Sequence, residues 1–218
     1  MKKIKNLGSL KRRAPKIRPA QRILLVCEGE KTEKIYFELF LDQLRAANID
    51  LEIAKKEYGT DPHGIVKYAQ NRMKIDSSID KCYCIFDRDT HDDNNFNNAI
   101  IDAKRYQKKL GKHRVFETII SYPCFEIWFI FHFSNSTRPY TQSGSRSPAD
   151  CVISALKQFP KMSEYRKNNS SLISSLLDKT ETAIKNSRQV YDAAVKSGNY
   201  NPSTTVHHVV TELRKYIT

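Results

Sequence analysis

Short apolar runs along the chain have the length and spacing of buried β-strands. Residues 23–27 form a continuous aliphatic run, residues 82–86 and 115–122 give two further runs, and residues 50–58 give a weaker one. Such runs are typical of strands covered on both faces, as in a parallel sheet. Polar residues or proline follow each of the stronger runs and predict where the strand ends.

The segments between these runs repeat apolar residues every three or four positions, which indicates amphipathic helices. Helices are predicted at residues 32–47, 62–73 and 94–110, and an aromatic helix packed into the core is predicted at residues 124–133. The alternation of strands and helices predicts an α/β sandwich with a mainly parallel, four-stranded central sheet flanked by helices.

Outside this alternating region the pattern changes. Residues 1–21 form a basic arm before the α/β domain, which spans residues 22–133. Residues 134–148 are rich in Ser, Thr, Pro and Gly without periodicity, which predicts a linker or mobile loop. Residues 149–218 contain helical patterns and no convincing strand, so we expect a helical C-terminal extension packed on the core.

The composition favours a cytoplasmic protein with one large core. The chain has 218 residues, of which 39% are hydrophobic. No apolar run approaches the roughly 18 residues needed to span a bilayer, and no apolar signal region follows the basic N-terminus. The five cysteines are odd in number and three lie in apolar runs, which favours reduced core thiols over disulfides or a zinc site.

The net charge of +13 is concentrated at the two ends of the chain. Residues 1–22 carry nine Lys or Arg and no acid, residues 23–137 are slightly acidic, and residues 138–218 are basic again. This distribution suits a polyanion held over a carboxylate-rich site, so we expect nucleic acid as a partner. The alternative is a tail that only raises solubility.

Carboxylates follow two of the predicted strands. Glu28 comes directly after the first run, and Asp87 and Asp89 come after the "CYCIF" run. Ligands of parallel sheets bind beyond the carboxyl ends of the strands, so these acids should share one crevice if the two strands are neighbours. Mg²⁺ and Mn²⁺ prefer carboxylate oxygens, and either ion could be held there against a phosphate.

Gly29 permits a tight turn between strand and helix and leaves backbone N–H groups available to a phosphate oxygen. The alternative is that Glu28 and Glu30 only interact with the helix dipole. The acids of "DRD" would then belong to a solvated loop.

Four blocks of sequence resemble a known family. "LLVCEGEKTEKIYF" and "CIFDRD" resemble the Glu-Gly and DxD motifs of the Toprim fold, which topoisomerases, primases and OLD-type nucleases share. With "SYPCFEIWFIFHF" and "NPSTTVHHVV" in the same order, the chain is identified as a member of the RloB family. The resemblance implies a Mg²⁺-dependent nuclease effector of a bacterial anti-phage or restriction-linked system. It also implies control by an ATPase encoded nearby.

The resemblance also implies roles for particular acids. Glu28 matches the Toprim glutamate, a general acid or base or a metal ligand, and Asp87 and Asp89 match the DxD metal ligands. Glu33 matches the "EGxxTE" form and could hold a second ion. Toprim proteins often have a third acid, which Asp92 or Asp93 could supply here.

Further candidates lie around these motifs. Glu126 sits among aromatic residues, where a carboxylate needs a partner or a metal, and it is assigned a catalytic role ahead of a structural hydrogen bond. The remaining candidates are assigned to substrate binding: Lys31, Lys34, Arg88, His91, Asn201 and His207. Capping of the last helix is the alternative for Asn201, and a solvated loop position is the alternative for His91.

Three functions remain open on these grounds. The first is a metal-dependent endonuclease acting on DNA or RNA, with tRNA as one candidate substrate. The second is a non-catalytic Toprim-like subunit that binds nucleic acid or an ATPase, and the third is phosphotransfer or phosphohydrolysis on a small molecule. The chain carries no Walker-A motif, so any ATP dependence would come from a partner. A homodimer is a further possibility.

Overall fold

The computed structural model describes residues 21–54, 61–88 and 91–217. The basic arm, apart from Gln21, therefore lies outside the described residues, as does Asp89. The described residues form five strands and nine α-helices in a single alternating order that passes into a helical C-terminal part.

The first half of the chain builds the sheet and the helices on its two faces. In order, its elements are β1 (Gln21–Cys27), α1 (Thr32–Glu38), α2 (Leu41–Ala46), β2 (Ile49–Ile53), α3 (Pro62–Ile75), β3 (Lys81–Asp87), α4 (Asp93–Leu110), β4 (Val115–Tyr122) and α5 (Glu126–Ile130). The helix predicted at residues 32–47 is divided in two. At Leu39 and Phe40 the backbone amides bond three residues back, to Tyr36 and Phe37, and so tighten the last turn of α1.

The second half is mainly helical. It contains α6 (Pro148–Leu156), α7 (Ser170–Ser174), α8 (Thr180–Ser197), β5 (Ser203–Thr204) and α9 (Val206–Arg214), with short 3₁₀ turns at Pro160–Met162 and Leu177–Lys179. The prediction of no strand within residues 149–218 is wrong at β5. A two-residue strand is too short to leave a periodic pattern, and its pairing partner lies some 80 residues earlier.

The sheet has the strand order β2-β1-β3-β4-β5. The first four strands are parallel, as predicted, and β5 adds an antiparallel edge to β4. The chain leaves β1 towards β2 on one side and returns to β3 on the other. The topological switch point therefore lies between the carboxyl ends of β1 and β3, where parallel sheets bind ligands.

Alternating strand residues supply a separate core on each face of the sheet. Leu24 and Val26 face α3 and α4, whereas Ile23, Leu25 and Cys27 face the other helices. The C-terminal helices pack on this second face through Val152, Val209 and Leu213, among others, so the extension shares the core of the α/β domain. Each fully buried Leu, Ile or Val contributes about 1.5–3 kcal/mol to this packing.

All five cysteines are free, and four of them are buried. The predicted linker spans residues 134–148: residues 134–147 contain neither helix nor ladder strand, and Pro148 already begins α6. An isolated bridge joins Ser143 to Arg146. The arrangement as a whole agrees with the predicted Toprim-like sandwich.

Candidate metal and phosphate site

Glu28 is fixed at the switch point by the backbones of two strands. Its amide donates to the carbonyl of Ile85 at 2.9 Å, which extends the β1–β3 pairing by one residue. Its Oε2 accepts the amide of Asp87 at 3.0 Å. The acids that end β1 and β3 are therefore neighbours, as the sequence predicts for adjacent parallel strands.

Gly29 allows a third carboxylate to approach this pair. A Cβ atom at position 29 would lie 2.1 Å from Oε2 of Glu33 and 2.4 Å from its Oε1, closer than van der Waals contact allows. Glu33 belongs to the first turn of α1 and is buried. The absence of a side chain at position 29 is thus what lets the Glu33 carboxylate occupy its position over the turn.

Glu126 supplies a fourth carboxylate from the opposite wall. It is the first residue of α5, and its side chain is only 2% exposed. Its Oε1 accepts hydrogen bonds from the hydroxyls of Tyr165, at 3.1 Å, and Thr32, at 3.3 Å. The Lys167 ammonium lies 3.7 Å from the same oxygen.

These residues line a cleft of about 350 Å³ at the carboxyl edge of the sheet. The carboxylates around it belong to Glu28, Glu30, Glu33, Asp87 and Glu126. Two ammonium groups, those of Lys31 and Lys167, lie at the same cleft. An excess of negative charge is therefore gathered in a small volume.

The crowding raises the pKa of two of the acids. Burial raises the pKa of Glu33 from 4.5 to about 7, and the negative charges of Glu126 and Glu28 add to this effect. Burial also raises the pKa of Asp87 well above its usual range, with contributions from the charges of Glu33, Glu126 and Glu28. Burial is the main cause of both shifts, and the neighbouring carboxylates add to it.

Asp87 also has an oxygen atom without a partner. Its Oδ1 is buried and makes no hydrogen bond to any described residue. Buried carboxylate oxygens are usually satisfied by hydrogen bonds, a cation or a proton. The hard carboxylate donors and this orphaned oxygen fit Mg²⁺ or Mn²⁺.

Within residues 21–54, 61–88 and 91–217, no group of three or more His, Cys, Asp or Glu side chains stands close enough to form a complete metal-binding set. Asp89, the second acid of the DxD motif, is outside those ranges.

His91 adds a ring nitrogen to the Glu28 side of the cleft. Its Nε2 lies 2.8 Å from Oε1 of Glu28, so both Glu28 oxygens have partners. Arg88 turns away from the cleft: its guanidinium donates to the carbonyl of His91, pairs with Asp93 and lies 4.9 Å over the ring of Phe96.

A sequence model of the family described as RloB-like protein matches residues 23–213. The match covers most of the chain and contains every cleft residue described above. The chain belongs to the RloB-like family. Searches of curated proteins and of solved structures found no match to this RloB-like chain.

The remaining candidates of this RloB-like protein lie away from the cleft. Lys34 pairs with Glu38 at 3.8 Å on the exposed side of α1. Asn201 exchanges hydrogen bonds with the backbone of Tyr140 through both its side-chain atoms and does not cap α9. His207 is a buried side chain.

The ring of His207 is held inside the C-terminal part. Its Nδ1 lies 2.8 Å from the hydroxyl of Ser187 and 3.1 Å from the carbonyl of Thr204. Burial lowers its pKa to about 4, so the ring is neutral at physiological pH. This environment is that of a core histidine.

The candidates for the third acid are likewise engaged elsewhere. Asp92 caps α4 by accepting the amide of Asn95 at 3.0 Å, and Asp93 pairs with Arg88. Neither lines the cleft.

No helix among the described residues is both long and apolar enough to cross a membrane.

Lys167 and Tyr165 are site residues that the sequence analysis missed. They lie in the "EYRKNN" segment before α7, far along the chain from the carboxylate motifs. That segment has no recognisable pattern, and only the packing of the C-terminal part against α1 brings it to Glu126.

Proposed function

We propose that this RloB-like protein is a metal-dependent nuclease that cleaves phosphodiester bonds in DNA or RNA. The observation that carries the proposal is the buried, unpartnered Oδ1 of Asp87 within a cleft of carboxylates at the switch point of a parallel sheet. The raised pKa values of Asp87 and Glu33 support it, because both carboxyl groups are buried beside further carboxylates.

One or two of the described carboxylates of Glu28, Asp87 and Glu33 would hold Mg²⁺, with Asp89 as a further ligand from the DxD motif. A bound Mg²⁺ would supply Lewis-acid chemistry, polarising the scissile phosphate and lowering the pKa of a bound water. Glu126 faces the same cleft and would complete the acid cluster.

The protein's own groups have separable tasks. The Lys167 ammonium remains charged: partial burial lowers its pKa, but the neighbouring acids, Glu126 foremost and then Glu33 and Asp87, together raise it, and the net pKa is raised. Together with Lys31 it can bind a phosphate oxygen and offset charge that develops during cleavage. His91 can hold a proton shared with Glu28 across 2.8 Å.

Tyr165 and Thr32 position Glu126 for this chemistry. Both hydroxyls donate to the same carboxylate oxygen, so the side chain has one preferred orientation. Such supporting hydrogen bonds typically affect metal affinity or activity by 10- to 100-fold.

The family resemblance supports a role as the effector of an anti-phage or restriction-linked system, under the control of a partner ATPase. A nuclease of this kind must be inactive until it is triggered. We therefore expect the isolated protein to cut slowly and its partner or an infection signal to release it.

The proposal is tested by expressing the protein with and without its neighbouring gene and sequencing the ends of cellular DNA and RNA. A Glu28→Gln, Asp87→Asn double variant removes charge from the cleft. Asp93→Asn is the matched control, because that acid follows the same strand but pairs with Arg88 outside the cleft. We expect new ends with the wild type and Asp93→Asn and none with the double variant. Identical end profiles in all samples, with partner and trigger present, would instead favour a non-catalytic binding subunit.

A further inference from the structure

A second cavity lies on the face of the sheet that α4 covers. It is a groove of about 570 Å³ between α4 and the C-terminal part, large enough for one or two nucleobases. Its floor is the outer face of β4, where Phe116, Thr118, Ile120 and Tyr122 alternate with residues directed to the other side. Ile120 and Tyr122 remain partly exposed there, so the groove is an apolar surface that α4 leaves uncovered.

Aromatic rings form one wall of this groove. The Tyr122 and Tyr200 rings lie 5.5 Å apart with an angle of 30° between their planes. Tyr191 follows at 6.2 Å from Tyr200, and His208 at 6.3 Å from Tyr191. All four residues line the groove, and none of the three tyrosines is fully buried.

The groove is lined by two lysines and one acid, Glu117. Lys104 and Lys108 project from α4 at its border, are exposed and form no ion pair with any described residue. Glu117 also lines the groove, but its Oε1 lies 2.7 Å from Nδ1 of His208. Flat apolar rings beside unpaired ammonium groups match a ligand that carries both a flat ring and an anion.

The groove reaches the edge of the sheet at which the cleft opens. Tyr122 is the last residue of β4, and the preceding Ser121 is the register partner of Asp87. Adjacent strands lie about 4.8 Å apart, so Tyr122 is one strand and one residue from the carboxylates. A nucleic-acid strand with one phosphate at the cleft could cross this edge of the sheet and place a neighbouring base in the groove.

We propose that the groove between α4 and Tyr191, Tyr200 and Tyr122 binds unpaired bases of a single-stranded nucleic acid whose phosphate occupies the carboxylate cleft. This inference rests on the proposed nuclease function and names the substrate class. The faces of bases within a duplex are covered by their neighbours, so only unpaired bases can stack on these tyrosines. Lys104 and Lys108 bind the phosphates on either side of the stacked base.

Binding is measured by fluorescence anisotropy with labelled oligo(dT) and oligo(rU), in EDTA so that no strand is cut. An abasic strand with the same phosphates and a base-paired duplex are the comparison ligands. Salt above the physiological concentration weakens the phosphate contacts, including those of the basic arm, and leaves stacking visible. The two labelled strands distinguish DNA from RNA.

Tyr191→Leu and Tyr200→Leu keep apolar volume and remove the aromatic faces, whereas Tyr191→Phe and Tyr200→Phe retain them. We expect each Leu variant to bind the base-containing strand about 5- to 150-fold more weakly, the range of one lost stacking contact. The Phe variants should bind the base-containing strand about as tightly as the wild type does. The Leu substitutions should change the affinity for the abasic strand little. Lys104→Gln should weaken binding of the base-containing and abasic strands alike and reduce the dependence of the affinity on salt concentration.

Photocrosslinking of wild-type protein to a strand carrying 5-iodouracil gives a second test that requires no variant to fold. Crosslinked peptides should contain Tyr122, Tyr191 or Tyr200. Crosslinks confined to other segments would overturn the proposal, as would equal binding of the base-containing and abasic strands. Size-exclusion chromatography gives a further outcome. If the Leu variants bind the nucleic acid as well as the wild type but no longer form a dimer, the groove binds a second copy of the chain and the proposal is overturned.

The two proposals fail separately. If strands bind through the tyrosines but are not cut when Mg²⁺, partner and trigger are supplied, the groove stands and the nuclease function is contradicted. If strands are cut and the Leu variants bind and cut as the wild type does, the nuclease stands and the groove proposal is contradicted.

Discussion

Replacing Glu33 with Gln should stabilise the metal-free protein at neutral and alkaline pH. The carboxyl group of Glu33 is buried, and two other carboxylates raise its pKa further. Gln has nearly the same shape and carries no charge to bury. The substitution therefore removes an electrostatic penalty of folding and keeps the packing around α1.

The size and pH range of this effect follow from the pKa. Folding raises the pKa of Glu33 from 4.5 to about 7, so between these values the folded state holds a proton that the unfolded state has lost. Protonated Glu33 therefore costs the wild-type protein no stability below pH 4.5. The free energy of unfolding then falls as pH rises from 4.5 to about 7. At about 1.4 kcal/mol per pKa unit, the loss above pH 7 is about 3 kcal/mol.

The assay is urea unfolding from pH 5 to pH 8 in EDTA. It is followed by the emission of Trp128, which is the single Trp of the chain and is fully buried. We expect Glu33→Gln to exceed the stability of the wild type by less than about 1 kcal/mol at pH 5 and by about 3 kcal/mol at pH 8. Glu30→Gln is the matched control: Glu30 lines the same cleft but is exposed, so its effect should stay within about 0.5 kcal/mol.

Mg²⁺ should reverse the order of stability. A cation bound only by the folded state stabilises it in proportion to its affinity, and the wild type should gain more than the variant, which lacks a ligand charge. A stability difference between Glu33→Gln and wild type that does not vary with pH would refute the electrostatic reasoning. So would a variant less stable than wild type at pH 8 in EDTA.

Three further substitutions test separate parts of the site. Gly29→Ala should displace the Glu33 carboxylate by about 1 Å and lower kcat/KM by about 100-fold in a cleavage assay. In a Glu33→Ala background the same substitution should cause no additional loss, because the added Cβ atom then has no carboxylate to collide with. Tyr165→Phe removes a hydroxyl that donates to Glu126 and should lower metal affinity or activity about 10-fold by titration; unchanged affinity and activity would contradict its positioning role. His207→Ala should reduce stability by about 2 kcal/mol in urea unfolding and leave metal affinity unchanged, whereas weakened metal binding would contradict its assignment to the core.

The parts of the fold that depend on local periodicity could be predicted from the sequence. The four parallel strands and the helices between them follow from apolar runs of strand length alternating with three- and four-residue repeats. The break within residues 32–47 could not be predicted, because the apolar pattern continues across it. The pairing of β5 with β4 depends on a long-range contact that two residues cannot encode locally.

The same distinction applies to the site. Glu28 and Asp87 could be placed together because the carboxyl ends of neighbouring parallel strands share one edge. Glu126 was identified from a carboxylate within an aromatic run, where burial requires a partner. Lys167 could not be found in this way, because an exposed-looking lysine in a polar segment carries no local signal and only tertiary packing brings it to Glu126.

Proximity to a motif along the chain predicts site residues less well than position at a strand end does. Three candidates show this: Arg88, Lys34 and Asn201. Arg88 stands next to Asp87, but alternation along the strand turns its side chain towards Phe96 on the other face. Lys34 faces solvent beside Glu38 on the outer side of α1. Asn201 is occupied by the backbone of Tyr140, a contact across 61 residues of sequence.

Mn²⁺ titration followed by electron paramagnetic resonance measures whether the carboxylate cleft holds the divalent cation that the proposed nuclease needs. Free Mn²⁺ gives a sharp signal that is lost on binding, so bound ions are counted without any knowledge of the substrate. We expect the wild type and Asp93→Asn to bind Mn²⁺ and Mg²⁺ to displace it, whereas the Glu28→Gln, Asp87→Asn double variant should leave Mn²⁺ free. Equal binding by the double variant, or no binding by folded wild type, would show that the cleft is not a cation site.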